Sequence, residues 1–146
     1  MPPTDPSLRM ERLLSEFARS VGADGITLWR VEEEFLVAVA NPDEPRIIGV
    51  RQPLHSGLIS RVYHTGQAIL EENLAAHPNH DPTVDTLLGR RCTAMMAAPF
   101  ESADGGGVIS AVVFTEGRPG DGFDLDGLKR LGAFTRQLAD IPGDEA

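Results

Sequence analysis

Cysteine is nearly absent from this chain of 146 residues, with Cys92 the only one. A single thiol forms no internal disulfide and builds no multi-cysteine zinc site. Chemistry that needs a resolving thiol within the same chain is excluded. Aromatic residues are scarce at 5%, with Trp29 and Tyr63 the only Trp and Tyr, so each is easily followed through the argument. No stretch approaches the ~20 consecutive apolar residues that span a bilayer as a helix. The opening MPPTDPSLRM has no basic region followed by an apolar block, so it does not read as a secretory signal, and a cytoplasmic protein is expected. Positive charge is short as well: 13 Lys and Arg stand against 22 Asp and Glu, a net charge of −9. A field of that sign repels phosphate backbones and anionic lipid, which argues against nucleic acid and membrane as partners. Ser-His-Asp arrangements, phosphate-cradling glycine loops and Gly-x-Gly-x-x-Gly are missing too, and no enzymatic activity is expected.

What is present suffices for one domain. A 41% share of hydrophobic residues supplies a core, and at this length folding buries roughly 70% of the surface of the unfolded chain. Residues 1–8 open with a proline-rich stretch and read as a flexible start. Residues 9–141 read as a single domain and 142–146 as a tail. Met10, Leu13, Leu14, Phe17, Ala18 and Val21 recur at helical spacing, with Gly22 at the left-handed stop. Ile26 to Val31 and Phe35 to Val39 are rich in strand formers and predict a hairpin across Glu32 to Glu34. Asn41 to Pro45 is a loop by its turn residues, and Arg46 to Leu54 a short strand or extended segment broken by Pro53.

Ser56 is the expected N-cap of a short helix that buries Leu58, Ile59, Val62 and Tyr63 and stops at Gly66. Ala68 to Glu71 predicts a strand, and Asn73 to His80 a polar loop. Asp81-Pro82 opens a helix with Val84, Leu87 and Leu88 inward and Gly89 at its end. Cys92 to Phe100 and Val108 to Thr115 are apolar on both faces, so both sides of the sheet should be covered there. Ala103 to Gly107 is the expected turn between them. Asp124 should cap a last helix whose Leu125, Leu128, Leu131, Phe134, Leu138 and Ile141 share one face, and Pro142-Gly143 should end it. About six strands and four helices make an α/β (α+β) arrangement of antiparallel sheet and helices.

In this order, these pieces resemble a GAF domain. The resemblance rests on the helix start Gly57-Leu58-Ile59 with its close at Thr65-Gly66, the strand Ala68 to Glu71, and His80-Asp81-Pro82 with Asp85. It continues through Ala97-Ala98-Pro99-Phe100, Gly107-Val108-Ile109 and Phe123, and covers about Arg9 to Ile141. It implies a six-stranded antiparallel sheet with the N- and C-terminal helices on one face. Short helices and loops would cap a pocket on the other. The terminal helices commonly pair two subunits in that family, so a homodimer is expected, with Leu13, Phe17, Leu131, Phe134 and Leu138 as the interface. Gly127, Gly132 and Ala139 would allow close helix approach. The family senses cyclic nucleotides, bilins, haem, small acids and redox state. Thr115-Glu116 departs from the Asn-Lys pair of cyclic-nucleotide members, and Cys92-Thr93 from the Cys-His of bilin-binding ones. The stand-alone methionine sulfoxide reductases of this family work through a cluster of cysteines, which one Cys cannot supply.

Each candidate residue has a plainer alternative. His77 and His80 could belong to a metal or haem cluster or contribute one pocket hydrogen bond, against polar loop residues leading to a helix cap. Cys92 after Arg90-Arg91 could be a redox switch, against a small apolar residue at a strand edge. Arg90 and Arg91 could bind an anion, against a solvated turn. Tyr63 could stack on a ligand, against packing under its helix. Met95 and Met96 alternate faces and default to core, and Trp29 reads as structural. Glu32 to Glu34 and Glu71-Glu72 read as solvated charge.

The expectation is therefore a signalling module that holds an unidentified small molecule among Ile59, Tyr63, His77, His80, Leu87, Arg91 and Cys92, meets a protein partner through the terminal helices, or does both. No metal and no particular cofactor is assigned. One alternative is an adaptor or dimerisation module whose pocket is filled by Tyr63, Leu87 or Met96. The other is a thiol switch or sulfoxide reductase-like enzyme. The initial Met and absence of a tag lead to the expectation of a complete protein.

Overall fold

The computed structural model describes residues 6–72, 92–102, 105–114 and 123–139. Helix α1 (Pro6–Val21) turns its apolar stripe to one side. It ends in paired bonds from Gly22 N–H to Arg19 O (3.3 Å) and Ala23 N–H to Ala18 O (2.9 Å). That closure needs the left-handed backbone of Gly22, at φ 74°. The chain then enters β1 (Gly25–Glu32) and returns as β2 (Phe35–Ala40). The hairpin forms without Asn-Gly because Glu33 itself takes φ 56°.

Beyond β2 the expected strand over Arg46 to Leu54 is only half realised. Glu44 caps a single 3-10 turn, Pro45–Ile47, Gly49 and Val50 bond to Ala38 of β2, and Arg51–Pro53 (β3) pairs with β2 as strand. Pro53 has no N–H to donate and sits on the sheet edge, where none is required. Helix α2 (Leu58–Thr65) follows. Its N-cap is Gly57, at φ 98° and without a side-chain cap, so the expected cap at Ser56 is corrected. The left-handed stop at Gly66 is as expected, its N–H bonding Val62 O at 2.9 Å.

The sheet is completed by β4 (Ile69–Glu71), β5 (Cys92–Ser102) and β6 (Gly105–Phe114), in the order β3-β2-β1-β6-β5-β4 with every pairing antiparallel. The expected turn at 103–107 is shorter, because Gly105 to Gly107 pair with Ser102 to Phe100 as strand. Glycine is required at 107. A Cβ there would overlap the Trp29 carbonyl oxygen of the neighbouring strand and lie 3.0 Å from its carbon. The last helix, α3 (Leu125–Ala139), is capped as anticipated, with Asp124 Oδ1 accepting from Gly127 N–H at 2.8 Å.

Both faces of β5 and β6 are covered. Ala94, Met96, Ala98, Ile109, Ala111 and Val113 pack beneath α1 and α3, while Met95, Ala97 and Val108 join Trp29, Leu58, Ile59 and Val62 beneath α2. Trp29 is structural, its indole N–H donating to buried Ser110 Oγ at 2.9 Å.

The residues expected at a subunit interface pack within the single chain. Leu131 and Leu138 are wholly buried, and Phe17 and Phe134 nearly so, all within this chain's own helix–sheet core; Leu13 packs half-buried at its margin. Within the chain, the sheet covers the apolar stripe. Gly127 likewise lies against Met96 of its own chain. Phe17 and Phe134 stack at 4.4 Å between centroids with planes 8° apart, which ties α1 to α3.

Candidate functional site

A groove of about 620 Å³ opens at the end of the sheet where β5 turns into β6. Tyr63, His64 and Gly66 form one wall, at the end of α2. Pro99, Phe100, Glu101, Gly106 and Gly107 form the floor, and Thr135, Arg136 and Ala139 of α3 the other wall. The floor is open because Gly106 carries no side chain. A Cβ at Gly106 would stand 3.2 Å from Tyr63 Cε1 and crowd the cleft.

The polar groups have assignable roles. His64 Nε2 lies 2.7 Å from Leu54 O, and a carbonyl only accepts, so Nε2 carries the proton. In the neutral ring Nδ1 is then an acceptor. The same carbonyl accepts from Ser60 Oγ, so α2 is tied to the segment before it by two bonds. His64 also stacks on His55 (5.3 Å) and meets Tyr63 edge-on (5.2 Å), which fixes both groove rings. Thr135 Oγ1 donates to Gly132 O at 2.9 Å and is occupied within its helix. Among the described residues, no hydrogen bond holds the Tyr63 hydroxyl or the Arg136 guanidinium, which leaves a phenol and a cation facing one cleft. Outside the groove, Arg46 has its pKa raised above the ordinary value, first by hydrogen bonding to Glu44 at 2.8 Å and then by the charge of that carboxylate. Among the described residues, no three His, Cys, Asp or Glu side chains converge as a metal site would require.

Of the residues expected to bind a ligand, Tyr63 lines the groove and Ile59 does not. Ile59 is buried beneath α2 against the sheet. His77, His80, Leu87 and Arg91 lie outside the described residues, as does the helix expected after Asp81. Cys92 starts β5 opposite Phe114, at a bulge in the pairing. Met96 is buried on the α1/α3 side and fills no part of the groove. His64 and Arg136 were missed. Nothing in the local pattern of α3 separates Arg136 from its other surface cations. The glycine run at 105–107 was a usable signal, because it combines a positive φ at Gly105, an opening at Gly106 and a close backbone approach at Gly107.

No helix among the described residues is long and apolar enough to cross a membrane. No curated protein sequence matches the chain. Solved structures do match it. The GAF domain of a phosphoenolpyruvate-protein phosphotransferase from Coxiella burnetii superposes with a TM-score of 0.77 at 16% identity, covering 95% of this chain and 83% of that one. The second GAF domain of DevS from Mycobacterium smegmatis gives 0.69 at 19% identity, over 92% and 91%. The free methionine-R-sulfoxide reductase of Neisseria meningitidis, solved with its substrate, gives 0.73 at 17% identity, over 95% and 78%. Such identities speak for the fold alone. The sequence profile of the GAF domain matches residues 5–141. Sheet order, helix placement and profile agree, and the chain belongs to the GAF domain family.

Proposed function

We propose that the chain is a non-enzymatic, cytoplasmic regulatory domain that binds a small molecule in the groove between α2 and α3 and passes the event on through its terminal helices. The observation that carries this reading is that one cleft is walled by both helices, so a ligand there touches the cap and the helical layer at once. Arg136 and the Tyr63 hydroxyl suit a small molecule with an anionic or hydrogen-bonding end, and Pro99 and Phe100 suit an apolar body. A signal requires that the ligand bind two states with different affinity. The reach of α3 into the groove offers a difference of that kind.

The adaptor alternative is less favoured, because Tyr63 lines the groove without filling it and Met96 lies on the other side of the sheet. Sulfoxide reduction is disfavoured by the lone Cys92, despite the shared fold with the Neisseria meningitidis enzyme. Because Tyr63 is the only tyrosine, fluorotyrosine labelling places one ¹⁹F reporter in the groove. Small-molecule fractions of the host should shift or broaden that single resonance, and Arg136→Gln should weaken the response. A resonance unmoved by every fraction would overturn the ligand reading.

A further inference from the structure

The chain carries a net charge of −9, yet its helical layer is basic. Within α1 and α3 stand six cations against three carboxylates, Glu11, Glu16 and Asp126. Arg9, Arg12, Arg19, Lys129, Arg130 and Arg136 are all exposed. Arg130 is held by Ser20, with its guanidinium 2.9 Å from Oγ, and Arg12 meets Glu16 at 3.4 Å. Among the described residues, that is the ion pair found on this layer.

The placement is ordered. Ser20 meets Arg130 and Phe17 meets Phe134, so α1 and α3 run in opposite directions, with Arg19 level with Leu131 and Gly132 and within one helical turn of Lys129. On α3, Leu125, Lys129, Ala133 and Arg136 are spaced four, four and three residues apart, one stripe along the outer face. Leu125 is 69% exposed, more than any other large apolar side chain among the described residues. Lys129 and Arg136 are seven residues apart, which is about 10.5 Å along the axis at 1.5 Å per residue, two turns of any facing helix. Exposed Ala133 leaves the space between them low.

We propose that this outward face of α1 and α3 is a docking surface for an acidic amphipathic helix of a partner protein. Carboxylates two turns apart on that helix would meet Lys129 and Arg136, and an apolar residue at one end would cover Leu125. The proposal rests on the regulatory reading above and names the chemistry of the partner. A second copy of this chain in a two-fold pairing would set the same cations against each other. A nucleic acid would meet the repulsion of the rest of the molecule.

Lys129 is the only lysine in the chain, which gives the test a site-specific readout. The probe is an N-acetylated 15-residue helical peptide with two Glu rows in i, i+7 register and one terminal Leu. Its controls are a scrambled peptide of equal composition and a single-stranded 15-nucleotide DNA. Fluorescence anisotropy with the full chain should give at least tenfold tighter binding of the ordered peptide than of the scramble, weakening as salt rises. Carbodiimide should join a peptide Glu to Lys129, located by peptide mass mapping. The reversal Arg19→Glu/Lys129→Glu, which leaves the groove residue Arg136 in place, should lower affinity at least tenfold. Both side chains are exposed, so circular dichroism should be unchanged, and the cross-link on the natural chain needs no variant. Equal binding of both peptides, no cross-link at Lys129, tighter binding of the DNA, or a dimer through this face would each overturn the proposal. The ¹⁹F reporter at Tyr63 reads the groove independently, so loss of peptide binding with a ligand-responsive groove sinks this inference alone.

Discussion

Truncating Phe134 to alanine tests whether the apolar face of α3 is covered by its own chain. The ring is 6% exposed and stacks on Phe17 at 4.4 Å. Removing a buried Phe side chain costs about 3–5 kcal/mol. The stacked geometry contributes about 0.5–1.5 kcal/mol of that beyond area burial. With a urea dependence of about 2 kcal/mol per molar, a loss of about 4 kcal/mol lowers the unfolding midpoint by about 2 M. Urea titration of the natural chain, Phe17→Ala, Phe134→Ala and the double variant completes a cycle, with an expected coupling of about 1 kcal/mol between the rings. The natural midpoint should also be the same at tenfold lower protein concentration, because the burial is intramolecular. If a partner subunit supplied it, dilution would lower the midpoint. A cost below about 1.5 kcal/mol, additive single variants, or a concentration-dependent midpoint would refute the assignment of this face to the chain's own core.

Gly107→Ala should destabilise by about 3 kcal/mol, since its Cβ meets the backbone of Trp29 and stands 3.2 Å from Arg30 Cα. Gly106→Ala, whose contact is a side-chain ring that can turn, should cost under about 1 kcal/mol, both variants read by the same urea titration. Ser110→Ala strands the buried indole N–H of Trp29 and should cost about 1–3 kcal/mol, with a changed Trp fluorescence maximum as an independent readout. Asp124→Ala removes the cap of α3 and should cost about 1 kcal/mol, while Asp124→Asn should recover most of it.

The architecture was legible because most elements are announced by patterns with a local cause. Helical stripes with glycine stops placed α1 and α2, and an Asp cap placed α3. Continuous apolar runs placed β5 and β6 with both faces covered. Where local signals competed, an adjacent residue decided the outcome. Ser56 looks like a cap, yet the positive φ of Gly57 starts α2 one residue later. Arg46 to Leu54 looks extended, yet Glu44 folds its first part into a 3-10 turn. The site was less legible. Tyr63 could be singled out as the lone tyrosine on a short helix, but the groove also needs Arg136, seventy-three positions away, and floor glycines that read as a turn. The apolar stripes raised a dimer interface because a stripe shows that a face must be covered without showing by what. The sheet covers it, and only the placement of the helices reveals that the face left to solvent is basic.

Native mass spectrometry of the protein purified from its own host tests the regulatory reading most directly, because one spectrum reports retained small molecule, bound protein and oligomeric state together. The account predicts a mass above that of the bare chain, from a small molecule lost on Arg136→Gln or from a partner protein lost on reversal of Arg19 and Lys129. A bare monomer under every gentle purification would contradict it.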